Sequence, residues 1–394
     1  MRWPFPLPGA EPAAGPPDQA TAPPEIGFTF RLFHQLAGPD CSSNVLFSPC
    51  SVMLCLAMVY DGATGETRSG MQKALELSGL DSAGLARVIT RLRSALEADA
   101  AGVQLRISNS LWGNPRLPVR PEFAARAREV YGAEVCEIDF AAADAVDRVN
   151  AWVREKTAAM IPRMVDHLDP LTLMVALNAI YFKGLWKLPF ERSLTEDRPF
   201  TTGSGQEKTL PRMRRRGRFR YYEPPGVQAV VLPYQGSRIA MYVLLPARKS
   251  SLRKLRDQLN ADRWQIWTDQ FALRLGSVHL PRFRINSEAQ LRTALADLGM
   301  ERAFDRQRAE FGGIREAPPP VWIDQVLHRA LVDVNEEGTE AAAATITFLR
   351  ATSLRPQSPE AEFEMIVDRP FLFLIRDEVS GNILFLGSVA DPSA

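Results

Sequence analysis

The chain has 394 residues, 46% of them hydrophobic, and a formal net charge of +1. That apolar content supports a large core, while so small a charge singles out no charged partner. The four cysteines (Cys41, Cys50, Cys55, Cys136) lack CxxC spacing and the four histidines are scattered, so free buried thiols are expected and no metal site or cofactor.

Length alone suggests two or three domains, yet no linker interrupts the chain. Residues 1–25 form a Pro/Ala-rich tail, read as disordered. Prolines follow Met1-Arg2-Trp3 at once, so no signal-peptide h-region is visible. Val45–Tyr60 is the most apolar stretch, but its serines and proline mark a buried helix and not a membrane span. Helical spacing runs through Gly27–Leu36, Pro49–Tyr60, Glu66–Leu75, Ser82–Leu96 and Pro121–Tyr131, and again through Ala142–Thr157. Val103, Leu105 and Ile107 alternate with polar residues, as a half-buried strand does. Further strands are predicted at Ala133–Asp139 and Leu171–Phe182. Past Phe200 strands dominate: Phe219–Glu223, Val227–Leu232, Ile239–Leu245, Val278–Ile285, Leu327–Asn335, Phe371–Asp377 and Ile383–Val389. Helices are predicted between them at Leu252–Leu259 and Ser287–Gly299. Helices first and strands later imply an α+β class.

Of 30 prolines, none lies between Pro320 and Pro356. Inside that gap runs Val334–Thr345, VNEEGTEAAAAT. Four alanines favour helix, whereas Thr345-Ile346-Thr347-Phe348 favours strand. At period two, Thr339, Ala341, Ala343, Thr345, Thr347 and Leu349 share an uncharged face; Glu340, Ala342, Ala344, Ile346, Phe348 and Arg350 share the other. Nothing here blocks entry into a sheet. The polar stretch Ser353–Pro359 that follows reads as exposed loop.

This combination resembles the hinge and reactive loop of an inhibitory serpin. Four more stretches carry the resemblance, in the family's order: Asn44–Ser51, then Asn150, Trp152, Lys156 and Thr157 in an NxWVxxKT pattern, then Asn178–Trp186, and last Asp368–Phe373. The match extends from about Ile26 to Pro392. It implies one domain over 26–394, with about nine helices, three β-sheets and a reactive loop at about 338–361.

The resemblance also implies roles. Ser48, Ser51, Asn178 and His328 would form the shutter, a polar cluster beneath the main sheet. Trp186 would sit at the breach, where the loop first enters. Glu337, Gly338, Thr339, Glu340, Ala341, Ala342, Ala343, Ala344 and Thr345 would form the hinge, with Gly338 as the pivot. A catalytic reading of Ser48 and His328 fails, because there is no GxSxG elbow and Ser48 precedes Pro49 at a helix start. Arg212, Arg214, Arg215, Arg216, Arg218 and Arg220 crowd one window, read as a solvated turn and edge strand; polyanion binding at Arg212–Arg220 is not expected.

The implied activity is that of a single-use suicide substrate, not an enzyme. A serine protease attacks the loop, and the cut loop enters the main sheet before the acyl-enzyme is hydrolysed. Counting from Gly338 puts the reactive bond at Thr352-Ser353; Arg350 and Arg355 are the trypsin-type alternatives, and counting backward from Pro370 gives a bond near Gln357-Ser358. Thr352 suits an elastase-like or subtilisin-like target, with cysteine proteases as a second class. The small hinge residues favour an inhibitor over a non-inhibitory carrier or chaperone. A monomer is expected, extracellular by family habit, with the cytoplasm as the alternative given the missing signal peptide.

Overall fold

A computed structural model describes residues 24–97, 100–316, 318, 321–339 and 362–393. The first part is helical: α1 (Pro24–Leu36), the short strand β1 (Val45–Phe47), α2 (Pro49–Asp61), α3 (Gly65–Ala74) and α4 (Ser82–Leu96). Pro49 and Ser48 set the start of α2. The proline needs no hydrogen-bond partner in the first turn, and the Ser48 hydroxyl accepts from the Ser51 N–H at 3.3 Å. Every residue of α2 from Pro49 to Tyr60 is buried, as expected of a helix apolar on all sides.

Strands and helices then alternate: β2 (Val103–Gly113), α5 (Pro121–Tyr131), β3 (Ala133–Glu137), α6 (Ala145–Lys156) and β4 (Met174–Leu185). Next come β5 (Glu196–Thr201), β6 (Glu207–Tyr222), β7 (Val227–Pro233), β8 (Ile239–Pro246), α7 (Leu252–Gln258), α8 (Ala261–Thr268), β9 (Ala272–Pro281), β10 (Phe283–Gln290) and the single turn α9 (Arg292–Leu295). The chain closes with β11 (Gln325–Val334), β12 (Gly338–Thr339), β13 (Phe363–Ile366), β14 (Phe371–Asp377) and β15 (Ile383–Val389).

One sheet has the order β10-β11-β12-β4-β2-β3, with β11 also paired directly to β4. The remaining strands form a nine-stranded network, β1-β15-β14-β8-β7-β6-β9-β13, with β5 on β6. Two of the three expected sheets are thus joined by hydrogen bonds. The cause is β6, long enough to pair with β9 along most of its length, with β5 at one end and with β7 at the other. Helix α2 is sandwiched between the sheets, against β2 and β4 on one side and β15 on the other. On the opposite face of the six-stranded sheet, Val149 and Val153 of α6 cluster with Leu177, Ala179 and Leu327.

Three expectations are corrected. The arginine-rich window is no turn but strand throughout, with Met213, Phe219 and Tyr221 buried; it pairs with β9 from Arg212 to Tyr221, and on its other side only at its ends, with β5 through Arg212 and with β7 from Arg220. Val278–Ile285 is not one strand: the chain leaves β9 at Pro281, turns at Arg282 and begins β10 in the other sheet. Ser287–Gly299 is not one helix, since Ser287–Gln290 stay paired to Leu327–Ala330 of β11 and helix begins only at Arg292. The serine at 287 imitates a cap, but the ladder to β11 outcompetes it.

Candidate functional site

The site is a seam in the six-stranded sheet. Strands β4 and β11 run parallel and pair directly from Val175 and Gln325 up to Tyr181 and Leu331. Above that point they part, and β12 lies between them. Gly338 pairs with Leu185, and Thr339 pairs with Gly184 on one side and Val334 on the other. A tight turn delivers β12 there, closed by the Asn335 N–H donating to the Gly338 carbonyl at 2.8 Å. Of the expected hinge, Glu337, Gly338 and Thr339 are therefore placed. Glu340, Ala341, Ala342, Ala343, Ala344 and Thr345, the bond Thr352-Ser353, its alternatives Arg350 and Arg355, and Gln357-Ser358 all lie outside the described residues.

Gly338 is required here for a reason other than pivoting. It is not among the residues with positive φ. A Cβ at this position would instead collide with the Gly184 carbonyl and the Leu185 Cα, so only glycine lets the backbones approach. Thr339 is fully buried, and its hydroxyl meets that of Tyr234 at 2.7 Å.

Trp186 braces the turn from one side. It is buried and stacks on Tyr234 with ring centroids 4.6 Å apart. Its indole N–H donates to the Asn335 carbonyl and its backbone N–H to the Glu337 carbonyl, each at 2.9 Å. From the other side the buried Glu336 carboxylate accepts from Arg282 at 2.6 and 2.8 Å and from the Thr195 hydroxyl at 2.6 Å. Burial alone would raise the Glu336 pKa; the bonds from Arg282 and Thr195 outweigh it and hold the carboxyl below its usual range. Glu337 pairs with Arg192. Sequence reasoning missed Glu336, Tyr234 and Arg282; the only signal was the place of Glu336 at the head of the glycine turn.

Below β12, Ser48, Ser51, Asn178 and His328 come together as a buried knot. His328 and Asn178 face each other in register across β11 and β4, and Asn109 of β2 is in register beyond Asn178. The backbone N–H of Ser48 donates to His328 Nε2 at 3.0 Å, which assigns the ring proton to Nδ1 and lets it donate to Asn178 Oδ1. Asn178 Nδ2 in turn donates to Ser51 Oγ and to Asn109 Oδ1. Asn109 was not found from sequence, because only its register reveals it. This is no nucleophile–base pair: His328 takes the amide proton of Ser48, not its hydroxyl, and its second nitrogen meets an amide, not a carboxylate.

Full burial pushes the His328 pKa down from 6.5 to about 3, only partly opposed by the bond to Asn178. The unfolded chain takes up this proton near pH 6.5 and the folded chain only near pH 3. The stabilising contribution is thus complete above 6.5 and is lost as pH falls toward 3. Urea melts should lose about 2 kcal/mol between pH 7 and pH 5 from this group alone. In His328→Gln that part of the slope should vanish; an unchanged slope would place the buried proton elsewhere.

Four arginines of β6 have side-chain partners within the protein. Arg212 donates to the Pro199 carbonyl, Arg216 pairs with Glu362, and Arg220 pairs with Glu378 at 2.5 Å. Arg215 donates to the Leu188 carbonyl and lies 4.5 Å above the Phe219 ring; burial lowers its pKa to about 10. The four cysteines are free; Cys41, Cys50 and Cys55 are buried and Cys136 is half-buried. Burial raises every one of their pKa values, Cys55 to about 12 and Cys136 to about 11. No described helix is long and apolar enough to cross a membrane.

Helices packed against and between sheets, with a seam parted at one end by the head of a loop, make this an α+β protein of the serpin fold. A family model described as Serpin (serine protease inhibitor) matches residues 25–392, and the chain belongs to the serpin family. It is 36% identical to the leukocyte elastase inhibitor of Bos taurus over 377 residues, covering 93% of this chain and 97% of that protein. An uncharacterised serpin-like protein of Thermococcus kodakarensis is also 36% identical, over 93% of this chain and 84% of its own length. The native state of the thermophilic serpin tengpin superposes with a TM-score of 0.85 at 26% identity, covering 94% of this chain and 93% of that one.

Proposed function

We propose that the protein inhibits serine proteases as a suicide substrate, with β4 and β11 receiving the cleaved loop. The observation that supports this most is the wedge of Gly338 and Thr339 between those strands, antiparallel to both. Continued in the same register, Ala341 would meet Phe182 and Val332, Ala343 would meet Ile180 and Ala330, and Thr345 would reach Asn178 and His328. Insertion would then part the His328–Asn178 bond and offer the Thr345 hydroxyl in its place, so the knot can exchange partners rather than lose them. On this reading Ser48, Ser51, Asn178 and His328 act as the shutter and Trp186 marks the breach.

The protease serine attacks the carbonyl of Thr352, the amine of Ser353 leaves, and Thr352 stays esterified to the enzyme. Residues 339–352 are fourteen, and at about 3.3 Å each they span roughly 46 Å. Insertion carries the tethered protease that far and distorts it before water can release it. The small S1 pocket that suits Thr352 fits an elastase-like target, in keeping with the inhibitors of leukocyte elastase among the relatives. The four unpaired thiols fit a reducing compartment better than an oxidising one, which favours the cytoplasmic alternative.

The test is incubation with elastase-like, subtilisin-like and trypsin-like serine proteases. An SDS-resistant complex is expected with the first, along with a released C-terminal peptide beginning at Ser353. A peptide beginning at Ala351 or Pro356 would move the bond to Arg350 or Arg355 and the target to a trypsin-like enzyme. Absence of any complex across the panel overturns the inhibitory reading.

A further inference from the structure

Tyr234 lies between β7 and β8, outside the loop and outside the strands that part. Its ring is held by the stack on Trp186 and by the edge of Phe182, with centroids 5.1 Å apart. A Cβ at Gly184 would approach the ring to 2.7 Å, so the glycine in β4 leaves the space the tyrosine occupies. Thus fixed, the tyrosine hydroxyl points at one partner, the Thr339 hydroxyl, at 2.7 Å and away from water. Each group can donate or accept, and neither has solvent to turn to if the other is withdrawn.

We infer that Tyr234 is a positioning residue for inhibition: its hydroxyl keeps the first rung of loop insertion, Gly338–Thr339, docked in the resting protein. This rests on the insertion mechanism proposed above. A strand entering a sheet must first fix several backbone angles for little return, as any ordered segment must. Here that costly first step is already complete, and zipping starts from a formed nucleus. If docking weakens, only the docked fraction can zip, and the apparent insertion rate falls by that fraction. The acyl bond meanwhile hydrolyses at its own rate. Tyr234 touches neither the scissile bond nor the protease, so it governs the fate of the acyl-enzyme and not its formation.

The experiment compares the native protein with Tyr234→Phe, Thr339→Val, Thr339→Ser and the double variant Tyr234→Phe/Thr339→Val against an elastase-like protease. Two quantities are read: the rate constant of loop cleavage, and the ratio of cleaved free inhibitor to trapped complex. Tyr234→Phe keeps the ring, so the stack on Trp186 survives, and Thr339→Val removes the bond from the other partner. Both should raise the ratio, by up to about fivefold, the ceiling that one hydrogen bond of ordinary net strength sets, at unchanged cleavage rate. Thr339→Ser should stay near the native ratio because it keeps the hydroxyl, and the double variant should be no worse than either single one. Amide exchange across 335–339 should quicken in Tyr234→Phe. A native ratio in Tyr234→Phe overturns the inference while leaving the insertion mechanism standing, as does a Thr339→Ser ratio matching that of Thr339→Val, or additive effects in the double variant. If the native protein traps no protease, insertion itself fails and the inference falls with it.

Discussion

Replacing Thr339 by arginine is expected to abolish trapping while leaving cleavage of the loop intact. Thr339 is fully buried between Gly184 of β4 and Val334 of β11, with its hydroxyl on Tyr234. A guanidinium in that slot would have to shed its water, and an unpaired buried charge costs several kcal/mol. The carboxylates of the turn before it, Glu336 and Glu337, already accept from Arg282 and Arg192. The arginine would therefore keep the hinge out of the sheet both at rest and after cleavage. If the barrier to insertion rises by about 3 kcal/mol, insertion slows by a factor of roughly 100 or more, which lets hydrolysis of the acyl bond win. The variant should be cut at the native rate and appear on a denaturing gel as cleaved chain without complex. An undiminished yield of complex would sink the insertion mechanism, because no other step needs position 339 to be small and uncharged.

The parts of this molecule that were readable beforehand are those with a local cause. Helix α2 could be seen because it is apolar on every side and starts at Ser48-Pro49. Strand β2 could be seen because Val103, Leu105 and Ile107 alternate. The cysteines could be read as free from their spacing. What escaped was tertiary. Six arginines hid the length of one continuous strand, since a half-buried guanidinium such as Arg215, lying over Phe219, is silent in a hydrophobicity pattern. Ser287–Gln290 looked helical because pairing with β11 leaves no trace in those four residues. In the site, Ser48, Ser51, Asn178 and His328 were recognised by resemblance, and their shared burial is what the physics adds. Asn109 carried no motif and joins them only through its register with Asn178. Gly338 was anticipated for its backbone freedom, and the structure adds a demand of its own, a β4 backbone too close to admit a side chain.

Cleavage of the loop anywhere between Leu349 and Leu354 is expected to raise the melting temperature. Cutting a loop ordinarily loosens a protein, because it frees two ends and adds entropy to the opened state. Here the intact connection to β13 is what would keep the segment after Thr339 from following it into the sheet. Once cut, that segment could enter between β4 and β11, which now pair directly over seven residues from Val175 to Tyr181. One interstrand ladder would be exchanged for two, with the new strand antiparallel to both neighbours. By alternation Ile346 and Phe348 would take the face that α6 covers, beside Leu177 and Leu327, and Leu349 the face toward α2. Burying three such side chains contributes about 1.5–3 kcal/mol each, before the smaller residues are counted. The melting temperature should therefore rise by about 10 °C or more, at roughly 2 °C per kcal/mol for a chain of this size. Scanning calorimetry of the intact and nicked protein reads this directly. The gain requires the native form to be kinetically held above a more stable state, as only a tether, and no lack of affinity, would separate the two. The same nick made in the Thr339→Arg variant should give little or no gain, since its hinge cannot lead the strand in. An equal gain in both proteins would mean that the stabilisation arises somewhere other than the seam between β4 and β11.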